Sequence, residues 1–155
     1  MSRRYKLRRT RRLNTRDSDV IVAKLVNYLM ISGKKRAALK TFDKALNFIK
    51  TRTKGSPVKA LYEALSIITP YSEVRSKKVG GVSYQVPVDI TSERRLSLSL
   101  KWLVTSAKSR KEANMWMRLA QEIIDTVKLS SATYKKSQAL QELVFANQAF
   151  SHLGW

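Results

Sequence analysis

The side chains of this chain that could do chemistry are overwhelmingly cationic, and their spacing suits the binding of a polyanion. The stretch "KKVGGVSYQVP", Lys77 to Pro87, arranges two lysines, a tyrosine and a glutamine around a Gly-Gly pair. Two central glycines favour a tight primed turn, because both residues of such a turn need positive φ. The register that follows puts Val79 opposite Val82, Lys77 opposite Tyr84 and Arg75 opposite Val86 on one side of a two-stranded ribbon. Val74, Ser76 and Lys78 then stand opposite Pro87, Gln85 and Ser83 on the other side. Neither side is apolar throughout, and Pro87 cannot donate to a central ladder. The element therefore reads as a ribbon that projects from its domain, and since an isolated hairpin is marginal in water it is expected to be steadied at its far end by a partner. Arg75, Lys77 and Lys78 suit phosphates, Tyr84 can stack on a base, and Gln85 can read a base edge or a 2′-hydroxyl.

The whole chain carries the same bias. Its 155 residues hold 31 Lys plus Arg against 11 Asp plus Glu, a formal charge of +20. Solubility of a small domain needs a magnitude of only about 2 to 8, and like charges confined to one domain repel, so this excess points to a polyanion, of which nucleic acid is the usual one. The opening "MSRRYKLRRTRRLNTR" carries Arg3, Arg4, Lys6, Arg8, Arg9, Arg11, Arg12 and Arg16 with no acid before Asp17. Its apolar residues are too few to form the amphipathic face of a transit peptide. Residues 1–16 are expected to be an RNA-binding arm, ahead of one helical domain over 17–155.

Several classes of function are disfavoured. There is no cysteine, which removes disulfides, thiolate metal sites and thiol nucleophiles. His152 is the only histidine, and a lone histidine more readily packs or touches RNA than acts as a general base. Asp17 and Asp19 stand where they would cap a helix and complement its dipole. No glycine-rich phosphate loop follows a strand and no His/Asp/Glu cluster has metal spacing. Neither catalytic residues, a metal, a cofactor nor a small-molecule substrate is expected. No run of about 18 apolar residues could span a bilayer.

Glycine and proline separate the elements that must position the cations. Gly33, Gly55, Gly80-Gly81 and Gly154, with Pro57 and Pro70, fall between segments of helical periodicity. Leu25, Val26 and Leu29 mark a first helix, capped by Asp17 or Ser18; Leu39, Phe42, Leu46 and Ile49 mark a second ending near Gly55. Ser56-Pro57 opens a third through Leu61, Ala64, Leu65 and Ile68. After the ribbon, at about 72–89, Leu96, Leu100, Leu103, Val104 and Ala107 give a fourth helical stripe despite the local alternation "LSLSL". Ser109 and Glu112 form a capping box for a fifth helix through Leu119, Ala120, Ile123 and Val127. A sixth runs from about Ala132 to Phe150 through Leu140, Leu143 and Val144. The fold class expected is all-α, a single domain of about six helices with one projecting β-hairpin between the third and fourth. Trp102 is expected in the core, and Trp116 flanks the basic loop.

The string "VRSKKVGGVSYQVPV", Val74 to Val88, resembles the signature hairpin of the bacterial-type small-subunit ribosomal protein number seven family. "LVNYLMISGKK" (Leu25 to Lys35), "RRLSLSLKWLV" (Arg94 to Val104), "ANMWMRLAQEIIDT" (Ala113 to Thr126) and "ANQAFSHLGW" (Ala146 to Trp155) fall in the family's order at nearly its spacing. The resemblance covers essentially the whole chain. It implies a six-helix domain that binds the 3′ major domain of small-subunit rRNA, starts assembly of the subunit head, meets neighbouring head and platform proteins, and holds its ribbon near exit-site tRNA and the mRNA exit path. The RNA-facing positions it implies are the arm, Lys34, Lys35 and Arg36, the ribbon cations with Tyr84 and Gln85, Arg94 and Arg95, the loop around Lys108, Arg110 and Lys111, then Arg118 and the pair Lys135-Lys136. The chain departs from the family pattern at Val82-Ser83, in "YKKSQALQEL" (Tyr134 to Leu143) and at Gly154, where arginine is common. That drift, with a lysine-rich style, suggests a ribosome in an organelle, a mitochondrion before a plastid, with a bacterial cytoplasm as the alternative. The rival class is a basic helical DNA-binding or architectural protein.

Overall fold

The computed structural model describes residues 20–53 and 55–153. The cationic arm over 1–16, the caps assigned to Asp17 and Ser18, and Gly154 with Trp155 lie outside the described residues. Six α-helices follow in chain order: α1 (Val20–Leu29), α2 (Lys35–Arg52), α3 (Pro57–Ile68), α4 (Ser92–Ser109), α5 (Met115–Val127) and α6 (Ala132–Ala146). Strands β1 (Ser72–Val79) and β2 (Val82–Asp89) form one antiparallel ribbon between α3 and α4, and a 3₁₀ segment, Gln148–Leu153, follows α6.

The apolar stripes explain the packing. Helix α5 lies at the centre, touching α2, α3, α4 and α6, while α1 closes the side made by α2 and α4. Leu25, Ile49, Leu61, Ile68, Leu100, Leu103, Leu119 and Ile123 are fully buried, so every stripe read for the first five helices reaches one common core. Burying each such side chain is worth about 1.5–3 kcal/mol relative to leaving it exposed. The alternation in "LSLSL" is resolved in favour of helix because Leu100, Leu103 and Ala107 must share one face, which leaves Ser99 and Ser106 buried beside them. Trp102 is half-buried and Trp116 packs its edge on Phe48, ring centroids 5.6 Å apart.

The ribbon has the expected register: Val79 pairs with Val82, Lys77 with Tyr84, Arg75 with Val86, and Ser76 with Gln85. Gly80 and Gly81 have φ of 58° and 86°, the two positive values of a type I′ turn, whose twist matches that of the flanking strands. Its support differs from expectation. The chain's own 3₁₀ segment lies against β2 and α6 lies against β1, with Lys77 Nζ donating to Leu153 O at 2.8 Å and Tyr84 tilted on Phe150 at 5.4 Å. Residues just beyond the last helix fold back onto the middle of the ribbon and brace it there, while the turn itself extends past them.

Two local expectations give way to tertiary contacts. The capping box over Ser109 and Glu112 does not form: Ser109 is the last residue of α4, Glu112 pairs with Arg110, and α5 starts only after Asn114. Leu140, Leu143 and Val144 do not seat α6 in the core. Its buried residues are Thr133 and Ser137, Ser137 donating to Ile68 O at 3.3 Å, while Leu143 is exposed. The sixth helix is docked by hydroxyls at its start and ends at Ala146, four residues before the expected Phe150.

The link from α5 to α6 contains a conformational cost. Leu129 has φ of +60°, and its amide donates to Thr126 O at 3.0 Å while Ser130 N donates to Asp125 O at 2.9 Å, the paired bonds of a Schellman stop. A leucine in that left-handed position carries a penalty of about 1–2 kcal/mol that glycine avoids. Leu129 is also exposed, so its side chain contributes little burial. Leu129→Gly should raise the unfolding free energy by about 1 kcal/mol, measured as a higher urea midpoint with unchanged slope.

Candidate nucleic-acid interface

The expected cations fall into groups of different character. At the foot of the ribbon, Glu73 on β1 is buried and receives two arginines. Arg75 donates to Oε1 through Nε at 2.7 Å and Nη2 at 2.5 Å; Arg94, in the first turn of α4, donates to Oε2 through Nε at 2.9 Å and Nη2 at 2.8 Å. Both arginine side chains remain about half exposed, at 49% and 52%, over an acid at 10%. Burial alone would raise the Glu73 pKa, but the hydrogen bonds from Arg94 and then Arg75 outweigh it and hold the carboxyl below its ordinary 4.5. Arg95, one residue on, donates to Ile90 O at 2.9 Å and sets its guanidinium 4.9 Å from the centre of the Tyr71 ring.

The second group is the α4–α5 loop. Arg110 does not present its charge to a polyanion as expected; its side chain is 19% exposed and holds three acids. It reaches Glu122 Oε2 at 2.5 Å, Asp125 Oδ2 at 2.5 Å and Glu112 Oε1 at 3.1 Å. Desolvation opposes the Arg110 charge, but bonds to Asp125 and Glu122 more than compensate and raise its pKa further. Glu122 is fully buried, and its other oxygen accepts from Thr133 N at 3.0 Å and Thr133 Oγ1 at 2.5 Å. Arg118 also turns toward the loop backbone, donating through Nε to Glu112 O and through Nη1 to Lys108 O at 3.5 Å. Lys108, in the last turn of α4, and Lys111, on the loop, are exposed. The loop is thus shaped from within by Arg110 and Arg118 and presents lysines outward.

Among the remaining sites, Lys34 and Arg36 are exposed at the α1–α2 turn, where Ser32 and Gly33 both have positive φ, and Lys35 is half-buried at the start of α2. Lys135 and Lys136 are exposed at the start of α6, Lys136 donating to Ser106 Oγ at 3.2 Å. On the ribbon, Lys78 and Gln85 are exposed near the tip, beside the exposed Val79 and Val82. Tyr84 departs from the open stacking platform expected of it: it is half-buried, with Phe150 against its ring. Because neighbouring strand residues point to opposite faces, Tyr84 and Gln85 serve different sides of the ribbon. The structure therefore brings Arg75 to Arg94 and Lys108 to Arg118, and diverts Arg110 inward.

Sequence reasoning passed over Glu73 and Glu122, the two buried acids that order these groups. A signal existed for each. Glu73 is the one acid of an otherwise basic strand, and Glu122 stands beside Ile123 within the stripe of α5, where a charge must find a partner.

Arg110→Ala leaves Glu122 buried without its cation and should cost about 3–5 kcal/mol of stability, read by urea unfolding. Arg110→Lys should recover only part of this, since one ammonium cannot reproduce a planar fork shared by three carboxylates. The Glu73 clasp gives a pH dependence. Its folded pKa is lowered, so its contribution is complete above the unfolded value near 4.5 and is lost as pH falls through the folded value. Amide exchange in β1 and β2 should therefore accelerate below that pH, and Glu73→Gln should remove this part of the acid dependence.

Comparison with known proteins agrees with this architecture. Residues 1–148 match the family model described as ribosomal protein S7p/S5e. The chain is 40% identical over 156 residues to the small ribosomal subunit protein uS7 of Roseobacter denitrificans, with all of both chains covered. It is 39% identical over 156 residues to that of a Jannaschia species and 38% identical over 157 residues to that of Bartonella quintana, again at full coverage. With the ribbon, its register and the six helices in place, the chain belongs to the ribosomal protein S7p/S5e family.

Proposed function

We infer that this chain is a structural constituent of the small ribosomal subunit that binds rRNA directly and nucleates folding of the 3′ major domain. Full-length similarity to proteins named small ribosomal subunit protein uS7 supports the setting. The observation that carries the binding role is the outward display of Arg75, Lys78, Arg94, Lys108 and Lys111 from a core whose helices converge on α5. Cations fixed by such a core neutralise phosphates in one geometry, and an RNA junction matching that geometry becomes the favoured fold. No bond is made or broken in this role. It is architectural, not enzymatic.

The finer assignments follow from placement. The ribbon tip, with Lys78 and Gln85 exposed, suits the side of the RNA channel where exit-site tRNA and emerging mRNA pass. The groove between the foot of the ribbon and α6 exposes Tyr71 and Phe145, which supports contact with a neighbouring head or platform protein. The lysine-rich composition and the departures from the family pattern support an organellar ribosome, the mitochondrial one first, although the relatives found are bacterial.

The decisive test is binding to a transcript of the 3′ major domain and to duplex DNA of equal length at several salt concentrations. Tighter binding to the transcript is expected; equal binding would favour the DNA-binding alternative. Lys108→Ala with Lys111→Ala should weaken the RNA complex and lower the slope of log affinity against log salt by about 1 for each phosphate no longer neutralised.

A further inference from the structure

Glu73 is an acid placed where the proposed ligand is a polyanion. In a chain of charge +20, a carboxylate beneath the cationic ribbon should weaken RNA binding by simple electrostatics. It is nevertheless buried, and it accepts the Nε and Nη2 edge of both arginines, Arg75 on Oε1 and Arg94 mainly on Oε2, with Arg94 Nε also 3.1 Å from Oε1. The arrangement leaves the opposite edges of both guanidinium groups unused within the described residues. A guanidinium has five N–H donors in a rigid plane. With Nε and one Nη2 proton directed at Glu73, the two Nη1 protons and the second Nη2 proton remain in the same plane, and one proton from each of Nη1 and Nη2 forms the end edge that grips a phosphate through two parallel bonds.

The two arginines come from different elements, Arg75 from β1 and Arg94 from the first turn of α4. Without a shared acceptor, each would sample many rotamers, and fixing a long side chain costs up to about 2 kcal/mol per residue. We propose that Glu73 is a positioning residue for nucleic-acid binding: it holds Arg75 and Arg94 side by side, with their outer edges turned to solvent, as a preformed seat for consecutive backbone phosphates. This rests on the RNA-binding reading above and adds the residue that organises the site. The acid does not touch RNA itself. Its contribution is orientation, which under this proposal outweighs the repulsion that its charge adds.

The opposing signs make the test direct. Affinity for the 3′ major domain transcript is measured for the intact chain, Glu73→Gln, Arg75→Ala with Arg94→Ala, and the combination of all three. Positioning predicts that Glu73→Gln binds about tenfold more weakly although it removes a negative charge, a loss of the order expected for charge-assisted bonds. It also predicts that the arginine substitutions cost much less in the Glu73→Gln background than in the intact chain. Equal or tighter binding by Glu73→Gln overturns the proposal, as does strict additivity of the acid and arginine substitutions. Should Glu73→Gln melt early, Arg75→Lys with Arg94→Lys decides the matter. That variant keeps both charges but lacks the fork, so weaker binding supports the seat and unchanged affinity overturns it. If the intact chain shows no preference for the transcript over duplex DNA, it is the RNA reading that fails, a result separate from the behaviour of Glu73.

Discussion

The buried contact between Arg110 and Glu122 is the constraint on which much of this architecture depends. Glu122 lies on the central helix, Arg110 on the loop leaving α4, and Thr133 at the start of α6, so one carboxylate joins three elements. A charge taken this far from water is tolerated only when its lone pairs are occupied, and here each oxygen has a protein donor. Thr126 and Ser131 extend the same polar seam, the Thr126 hydroxyl lying 2.7 Å from Glu122 O and 2.9 Å from Ser131 Oγ. Ser131 in turn caps α6 by accepting from Tyr134 N at 3.0 Å. An apolar contact could have filled this space, but it would not have fixed the direction of the loop. Directionality is what a binding surface requires of its scaffold.

The same logic governs the surface. With 11 acids against 31 basic residues, the placement of each carboxylate matters. Glu73, Glu112, Glu122 and Asp125 all lie against Arg75, Arg94 or Arg110. Arginine suits these positions because a planar fork can serve an acid on one edge and remain charged at any ordinary pH. Lysines at 78, 108, 111 and 135 are instead exposed, where a flexible point charge can adapt to a polyanion. The division of labour is physical: Arg110 and Arg118 shape the display from within, while Arg75, Arg94 and the lysines populate it.

The ribbon shows how an element that is marginal alone becomes part of a rigid body. Val86 is fully buried at its foot and Glu73 is clasped from α4. Midway along it, Phe150 and the carbonyl of Leu153 hold Tyr84 and Lys77. Only the end from Lys78 to Ser83 extends beyond these supports, and a type I′ pair of glycines keeps its turn narrow. Motion should concentrate at that tip, because local opening is easiest where few contacts must break.

Local sequence determined a good deal. The period of the apolar residues specified the first five helices and their core faces, since burial on one side of a 3.6-residue repeat has a single solution. Gly80-Gly81 specified the ribbon and its register, because a two-residue turn allows only one pairing. The basic charge specified the class of partner. The sixth helix starts at Ala132 as its period implies, but its docking face was not legible, because Leu140 and Val144 are only half-buried, Leu143 is exposed, and hydroxyls seat it. The capping box at Ser109 failed because a distant acid, Glu122, fixes Arg110, and Arg110 draws Glu112 away from the helix start. The character of Tyr84 was decided by residues 66 positions later, folding back over it. In each case periodicity and composition report what one segment prefers, whereas the partner of a buried charge or an aromatic face is chosen by three-dimensional proximity, which only the tertiary structure decides.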